Sequence, residues 1–190
     1  MAVAGDGWVF AYGSLIWRPG FAFVEATPAT LHGYHRAFCI YSFHYRGTPE
    51  RRGLVLGLAR GGSCRGMAFR VAASDWAATL DYLRERELVT NVYKERVVPV
   101  RTGRGVVPAV TYVADPAHEQ YAQGLGFDEQ VRMIAGASGI AGRNRDYLAA
   151  TVQEMERLGL GDGLLHRLNR AVQAIPAPPL GEHDVARHAG

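Results

Sequence analysis

A glutamate near the end of a predicted helix is the residue of this chain best suited to acid–base chemistry. The Ala- and Leu-rich segment 75–88 has the composition of a helix. Trp76, Leu80 and Leu83 are spaced four and three residues apart, so they share one helical face. Glu87 lies four residues further on and, at about 100° per residue, falls within about 20° of Trp76. The spacing therefore places a carboxylate on an apolar stripe.

That position predicts a raised pKa for the Glu87 carboxyl. Burial disfavours the charged form, and the negative end of the helix macrodipole disfavours it further. A carboxyl that titrates closer to neutrality suits a general base or acid. Glu85 points to the opposite side of the helix. The alternative is that the helix ends by residue 86, so that Glu87 forms a surface ion pair with Arg84, Arg86 or Arg96.

A second candidate is the Gly-Ser pair inside the aromatic stretch "WVFAYGSLIWRPGF". Gly13 allows a sharp turn at the end of a strand, and successive N–H groups in such a turn form a concavity for an anion or oxyanion. Ser14 adds a hydroxyl donor. The alternative is a strand that bends where another element packs closely. A nucleophilic Ser14 is disfavoured because G-x-S-x-G requires glycine where Tyr12 and Ile16 stand.

Other chemistry-bearing residues give weaker signals. His32 and His35 lie close together without a third ligand, so no metal site is predicted. No G-x-G-x-x-G motif links a strand to a helix, so no dinucleotide cofactor is predicted. In "GIAGRNRDYL", Asn144 or Asp146 is interpreted as a helix cap and Tyr147 as a core residue.

The elements that must position these residues follow a simple order. The pattern first predicts a strand over 8–16 ending near Gly13, then one or two strands turning at Gly33 and Gly47, and then a hairpin over 54–71 with a turn at Gly61-Gly62. A helix over 75–88, capped by Ser74, and two strands joined by a turn at 103–105 follow. The chain ends with a mostly helical segment over 119–175 and a Pro/Gly/Ala-rich tail over 176–190. This order predicts an α+β fold with a mostly antiparallel sheet that can close.

Composition narrows the function further. The chain has 190 residues, of which 48% are hydrophobic and 21% charged, and its net charge is +3, values typical of one globular domain. Its cations are not clustered, which argues against a nucleic-acid partner. No apolar run is long enough to span a membrane, and the N-terminus does not resemble a signal peptide. Cys39 and Cys64 are predicted to be buried, inert thiols of a cytoplasmic protein.

Taken together, the motifs resemble the ChaC family of γ-glutamylcyclotransferases. The resemblance begins with Y-G-S-L-I-W at Tyr12–Trp17 and continues with R-G-x-P at Arg46–Pro49. The stretches "CRGMAFRV", "YLRERELVTNVY" and "GRNRDYL" then follow in the family's order. The resemblance covers residues 8 to about 170, nearly the whole chain.

The resemblance implies a small mixed β-barrel flanked by helices, in a single catalytic domain over residues 1–175. It also implies a lyase that cleaves glutathione into 5-oxoproline and Cys-Gly without a cofactor or a protein partner. The family's catalytic glutamate, in a Y-L-x-x-R-E context, corresponds to Glu87. The substrate-binding residues that it implies are Tyr12, Gly13, Ser14, Leu15 and Tyr147.

The residues also leave rival functions open. The substrate could be another γ-glutamyl amino acid or amine, or the chain could be a non-catalytic sensor of a γ-glutamyl ligand. One departure from the family's pattern bears on this choice. After Glu87 the chain reads "LVTNVY", where other members have a shorter, Gly-containing link. The rim beside the base is therefore predicted to differ, with an effect on substrate preference.

Overall fold

The computed structural model describes residues 5–177, which form two compact units. The first unit comprises Met1–Ile40 and Leu56–Gln123, and the second comprises Tyr41–Val55 and Gly124–Gly190, each within the described range. The single catalytic domain expected over 1–175 stays a prediction. Most of the predicted tail, from residue 178 onward, lies outside the described residues.

A closed five-stranded barrel is the framework of the first unit. Its strands are β1 (Gly7–Ala11), β2 (Glu25–Ser42), β3 (Gly53–Val71), β4 (Tyr93–Thr102) and β5 (Gly105–Ala114), in the order β1-β3-β2-β4-β5. The last residues of β2 and the first of β3 belong to the second unit. Strand β1 pairs antiparallel with β3 and parallel with β5, where Val9 lies opposite Val110 and closes the barrel. The predicted α+β class with a closed, mostly antiparallel sheet is confirmed.

The barrel core consists of side chains that alternate along its strands. Every second residue of a strand points to the same face, so a closed sheet collects one set of side chains inside. The buried cluster contains Phe10, Ala29, Leu31, Leu58, Cys64, Ala68, Val98, Val100, Ala109 and Val113. Cys39 and Cys64 are both buried with free thiols, and burial raises the pKa of Cys39 to about 12, so its thiol is inert as predicted.

Two of the predicted turns are wrong. Strand β3 continues through Gly61 and Gly62, although both have positive φ, +95° and +68°. Strand β2 likewise continues through Gly33, with φ +87°. Glycine in the left-handed region can bend a strand without ending it, because the partner strand keeps the ladder in register. By contrast, the predicted turn between β4 and β5 is confirmed, with Thr102 opposite Gly105.

The predicted helix over 75–88 is confirmed as α1, Trp76–Glu87. The Trp76 ring packs directly on the backbone of Gly7 in β1, where any Cβ would overlap it. The cap differs from the prediction. Asp75 occupies the N-cap position, but its side chain accepts no hydrogen bond from a helix N–H; it accepts one of 3.3 Å from Ser74 Oγ instead. Packing against β1 therefore fixes the start of α1.

Three helices make up most of the second unit, as the helical prediction over 119–175 implies. They are α2 (Phe127–Gly136), α3 (Asn144–Arg157) and α4 (Gly163–Ala174), and a two-stranded ribbon, β6 (Ser138–Gly139) with β7 (Gly142–Arg143), lies between α2 and α3. The interpretation of Asn144 as a cap is wrong. Its amide is fully buried and bonds both the N–H and the C=O of Leu54, each at 2.7 Å.

Replacing Asn144 by Ala is expected to destabilise the protein by about 2–4 kcal/mol, because two buried backbone groups of Leu54 lose their partner. Urea unfolding of the two proteins measures this difference. Asn169→Ala is the matched control, since the Asn169 side chain accepts only an exposed hydrogen bond from Gln173. Equal effects of the two substitutions would contradict a special role for the Asn144 amide.

No helix within residues 5–177 is both long and apolar enough to cross a membrane.

Candidate active site

Glu87 is the last residue of α1, and its side chain is only 19% exposed. The predicted placement on the buried face at the helix end is confirmed. Burial raises the pKa of the Glu87 carboxyl above its ordinary value of 4.5, while the charge and hydrogen bond of Arg86 oppose this rise. Glu85 is exposed, as the helical spacing predicts. The alternative of a surface ion pair holds only in part, because Glu87 does pair with Arg86 but stays mostly buried.

Arg86 joins this carboxylate to the Y-G-S-L turn. Its Nε lies 3.2 Å from Glu87 Oε1, and its Nη2 donates to Ser14 Oγ at 2.9 Å. Its Nη1 donates to the hydroxyl of Tyr82 and to the carbonyl of Arg18, both at 2.9 Å. One guanidinium therefore contacts both the candidate base and the candidate binding turn. It also fixes the Ser14 hydroxyl as an acceptor on one side and leaves its proton able to donate on another.

The strand predicted over 8–16 is shorter than predicted, because its second half forms the turn. Strand β1 ends at Ala11, and Ser14–Ile16 form a single turn of 3₁₀ helix, η1, that begins after Gly13. The leading N–H groups of such a turn have no partner within the helix, so those of Ser14 and Leu15 can bind an anion. The Leu15 and Ile16 side chains are buried and anchor the turn on the barrel. The predicted concavity of N–H groups therefore has a backbone that can supply it.

Gly13 is needed here for a different reason from the predicted one. Its φ is −136°, outside the left-handed region that favours glycine. A Cβ at this position would lie 3.2 Å from Leu56 Cδ2, closer than an ordinary contact. A side chain at position 13 would therefore press on Leu56 of β3, whereas the φ of this residue does not by itself require glycine.

A fully buried arginine of the barrel supports the same turn. Arg36 in β2 is 1% exposed, and its Nε donates to the carbonyl of Tyr12 at 2.6 Å. Its Nη2 donates to the carbonyl of Arg65 in β3, also at 2.6 Å. Hydrogen bonds from a charged donor are stronger than neutral ones, so Arg36 holds the backbone just before Gly13 in place.

The segment after η1 is held against α1. Gly20, with φ +74°, lies so close to Tyr82 that a Cβ would overlap the phenolic oxygen. Phe21 then meets the Tyr82 ring edge-on, with centroids 6.5 Å apart. Tyr82 and Arg86 are four residues apart and share one face of α1, so this face holds the turn and the segment that follows it.

The link after Glu87 differs from the family's pattern in an interpretable way. Asn91 has φ +57° and is the one non-glycine residue with positive φ within residues 5–177. Asparagine is among the few side chains that tolerate this conformation, so Asn91 allows the link to turn here without a glycine. Two residues later, Tyr93 donates from its hydroxyl to the carbonyl of Leu56 at 2.7 Å. The link is therefore tied to the same β3 residue that packs on Gly13.

The ion pair of Arg84 with Glu95 is a second charged group of the first unit near Glu87. Arg84 forms two hydrogen bonds of 2.9 Å with Glu95, and the buried Tyr112 hydroxyl donates to Glu95 Oε2 at 3.1 Å. Arg84 holds the pKa of Glu95 below its usual value. Burial, followed by the charge of Glu95 and more weakly that of Glu87, raises the pKa of Tyr112. Tyr112 therefore stays neutral, and Glu95 is paired with Arg84.

Tyr147 lies in the second unit, on α3. Its ring faces the guanidinium of Arg46, whose Cζ is 5.0 Å from the ring centroid. Arg46 also donates from Nη1 to the carbonyl of Ala141. Tyr147 is only partly buried, so the interpretation of it as a core residue is not supported. Its role as a substrate contact stays a prediction.

Neither Arg36 nor the bridging contact of Arg86 was predicted from the sequence. A signal exists for Arg36, since it is a lone arginine within the dense aromatic and aliphatic run of β2. For Arg86 the sequence suggested only an ion pair with Glu87. Its contact with Ser14 joins residues 72 positions apart, which no local spacing indicates.

Chemically, the first unit combines a carboxyl of raised pKa, a fixed cation beside it and a turn of N–H donors. This arrangement can move a proton and stabilise an oxyanion within the same small region. Among residues 5–177, no three His, Cys, Asp or Glu side chains are grouped so that they could hold a metal ion.

Comparison with known proteins gives concordant matches. A family model described as ChaC-like protein matches residues 7–175. The glutathione-specific gamma-glutamylcyclotransferase of Escherichia coli K12 is 35% identical over 174 residues, covering 91% of this chain and 75% of the relative. Gamma-glutamylcyclotransferase 2-3 of Arabidopsis thaliana is 33% identical over 177 residues, covering 88% of this chain and 89% of the relative.

A solved structure shows the same fold. The gamma-glutamyl cyclotransferase specific to glutathione from yeast superimposes with a TM-score of 0.79 at 22% identity, covering 90% of this chain and 96% of the yeast chain. At that identity the likeness concerns the fold alone. The predicted γ-glutamylcyclotransferase-like barrel is confirmed.

Proposed function

Because the chain belongs to the ChaC-like protein family, we propose that it cleaves glutathione into 5-oxoproline and Cys-Gly by cyclisation of the γ-glutamyl group. The observation that carries this proposal is the single guanidinium of Arg86, which contacts both Glu87 and Ser14. It brings a proton acceptor and the Y-G-S-L turn within reach of one small substrate. The name of the relative from Escherichia coli supports glutathione as that substrate.

The first step is the removal of a proton from the substrate's α-ammonium group. An α-amine titrates near pH 8 in water, so at neutral pH it is mostly protonated and cannot attack. Glu87 accepts this proton, and its raised pKa brings the donor and acceptor closer in proton affinity. The amine nitrogen then attacks the γ-carbonyl carbon of the same molecule. Since both reacting groups belong to one chain, the protein has only to hold it folded.

The second step breaks the bond between the γ-carbon and the cysteinyl nitrogen. The new nitrogen–carbon bond closes a five-membered ring, and its formation places negative charge on the carbonyl oxygen. When that charge collapses, the bond to the cysteinyl nitrogen breaks and that nitrogen takes the proton held by Glu87. The ring nitrogen, which still carries two protons and a positive charge after its attack, gives one of them to the freed Glu87 carboxylate or to solvent and becomes the lactam N–H. The products are 5-oxoproline and Cys-Gly, and no water is consumed. Glu87 thus serves first as base and then as acid.

The Y-G-S-L turn supplies the binding groups in this proposal. The N–H groups of Ser14 and Leu15, with the Ser14 hydroxyl, bind the substrate's α-carboxylate or its developing oxyanion. Tyr12 and Leu15 contribute mainly through the backbone, because the Tyr12 ring packs on the barrel core and the Leu15 side chain is buried. Gly13 keeps the turn close to Leu56. Tyr147 is kept as a predicted substrate contact.

The experiment that tests this function compares substrates on the purified protein. Release of 5-oxoproline is measured separately from glutathione and from γ-glutamyl-alanine. We expect kcat/KM for glutathione to exceed that for the dipeptide by at least about tenfold, because the dipeptide lacks the thiol and the glycyl unit and carries its terminal carboxylate at a different position, so contacts to that half of glutathione are lost. A preference for γ-glutamyl-alanine would move the substrate to other γ-glutamyl compounds. Tight glutathione binding without product would favour a sensor.

The proposal includes a cytoplasmic location. Free, buried thiols at Cys39 and Cys64 fit a reducing compartment. That the protein acts without nucleic acid, cofactor or protein partner is kept as a prediction.

A further inference from the structure

The second unit contains a basic cavity that the cyclisation chemistry does not use. Its volume is about 590 Å³, within the range of small-molecule sites. Four of its lining residues are charged, namely Glu50, Arg51, Arg52 and Arg132. Three guanidinium groups against one carboxylate leave a net charge of about +2 at its wall. Such a wall favours an anionic ligand.

Two of these arginines keep their donors available. The guanidinium groups of Arg52 and Arg132 have no hydrogen-bond or ion-pair partner among residues 5–177. Arg52 lies over the rings of Tyr41 and Phe43, with its Cζ 5.3 Å from each centroid. Stacking fixes the plane of a guanidinium while leaving its N–H groups directed outward, so less ordering is required when a ligand binds.

The loop that carries Arg51 and Arg52 begins with the R-G-x-P motif and is held by hydrogen bonds of its own. The Thr48 N–H donates to the carbonyl of Arg51 at 3.0 Å, and the Arg51 N–H donates to Thr48 Oγ1 at 3.1 Å. Gly47 and Gly53 pack so closely at the base of the loop that a Cβ on either would overlap backbone atoms. The cyclisation mechanism assigns no role to this loop. Presenting two arginines at the cavity is a role that its geometry supports.

The rest of the cavity wall is largely apolar. Met133 and Ala135 of α2 and Ile175 and Pro176 beyond α4 contribute apolar surface beside the arginines. Arg51 also lies near the C-terminal end of α2, where its Nη1 is 3.4 Å from the carbonyl of Gly136. A ligand matched to this wall carries charge at one end and hydrocarbon at the other.

We propose that this cavity is a binding site for a small organic dianion, with carboxylate or phosphate oxygens on the arginines and an apolar part against Met133 and Ile175. Arginine binds both kinds of oxyanion through paired N–H groups, so the shared chemistry is that of two negative charges on one small molecule. The proposal of this binding site does not depend on the proposed cyclisation, and either one can be correct without the other.

Calorimetric titration at low ionic strength tests the proposal with two aromatic dianions as probes. Benzylsuccinate carries two carboxylates and phenyl phosphate carries one phosphate, and each has an aromatic ring. Benzyl alcohol is the neutral control. We expect at least one dianion to bind with a stoichiometry of one per chain, and the neutral compound not to bind. Which dianion binds more tightly identifies the preferred oxyanion.

Three variants locate the binding. Arg132→Gln and Arg51→Gln are each expected to weaken binding about tenfold, since each removes a charged contact. Both residues are exposed, so the fold tolerates glutamine. Arg170→Gln is the matched control, because Arg170 is an exposed arginine of α4 that does not line the cavity. The control is expected to bind as the unchanged protein does.

Three results would overturn the proposal. The first is that neither dianion binds at about 10 mM, the weak limit for a small-molecule site. The second is that Arg170→Gln weakens binding as much as Arg132→Gln, which indicates attraction by overall charge. The third is that Glu87→Gln changes the dianion affinity while Arg132→Gln does not, which places the anion in the first unit.

Discussion

Replacing Glu87 by Gln is expected to lower the rate of 5-oxoproline release from glutathione about a thousandfold. The amide keeps the size of the side chain but cannot accept the α-ammonium proton, and general acid–base catalysis typically contributes 10²- to about 10⁴-fold. Steady-state kinetics with detection of 5-oxoproline measures the loss. The melting temperature is expected to hold or rise, because removing a partly buried charge also removes its desolvation penalty.

The control for Glu87 is built into the same helix. Glu85→Gln removes an exposed carboxylate two residues away on the other side of α1. Its turnover is expected to equal that of the unchanged protein. Full activity in Glu87→Gln, or equal losses in the two variants, would show that the base lies elsewhere.

Replacing Arg86 by Met is expected to have two separable effects. The first is a rise in KM of about tenfold, because Ser14 loses a charge-assisted hydrogen bond of 2.9 Å and the turn is held less firmly. The second is a shift in the pH dependence of kcat/KM. Arg86 lowers the pKa of Glu87 against the larger effect of burial. Without it that pKa rises, so the acidic limb of the profile moves to higher pH.

Arg84→Met separates these effects from a general disturbance of α1. Arg84 lies two residues earlier and pairs with Glu95 instead of Glu87. Its removal is expected to leave both KM and the acidic limb nearly unchanged. If the acidic limb does not move in Arg86→Met, Arg86 only packs the helix end and does not govern the charge of Glu87.

The placement of Glu87 was predictable from sequence because it depends on a local regularity. A helix turns by about 100° per residue whatever its surroundings, so the apolar spacing of Trp76 and Leu83 fixed which carboxylate shares their face. The β4–β5 hairpin was predictable for a similar reason, since its short turn joins strands that are neighbours in sequence. Residues that act within one element leave a readable pattern.

The continuous strand β3 shows where such patterns stop being sufficient. Gly61 and Gly62 have the positive φ values that a hairpin turn also requires. Whether the chain then reverses or merely bends depends on the strand that pairs with it. Here, for example, Nδ1 of His35 in β2 lies 3.0 Å from the carbonyl oxygen of Gly61. Two glycines alone cannot distinguish these outcomes.

Arg36 and Arg86, the two arginines that hold the site together, could not be predicted from the sequence for the same physical reason. Arg36 reaches Tyr12 across 24 residues, and Arg86 reaches Ser14 across 72. A hydrogen bond between two strands, or between a helix and a turn, requires the folded barrel before donor and acceptor meet. Asn144, interpreted as a helix cap, likewise has its partners 90 residues away at Leu54.

In the proposed reaction the substrate's own amine, deprotonated by Glu87, displaces Cys-Gly without the entry of water. Product analysis of the reaction in water enriched in oxygen-18 tests this most directly. We predict equimolar 5-oxoproline and Cys-Gly, with no heavy oxygen in either product. Free glutamate carrying heavy oxygen would identify hydrolysis and contradict the account.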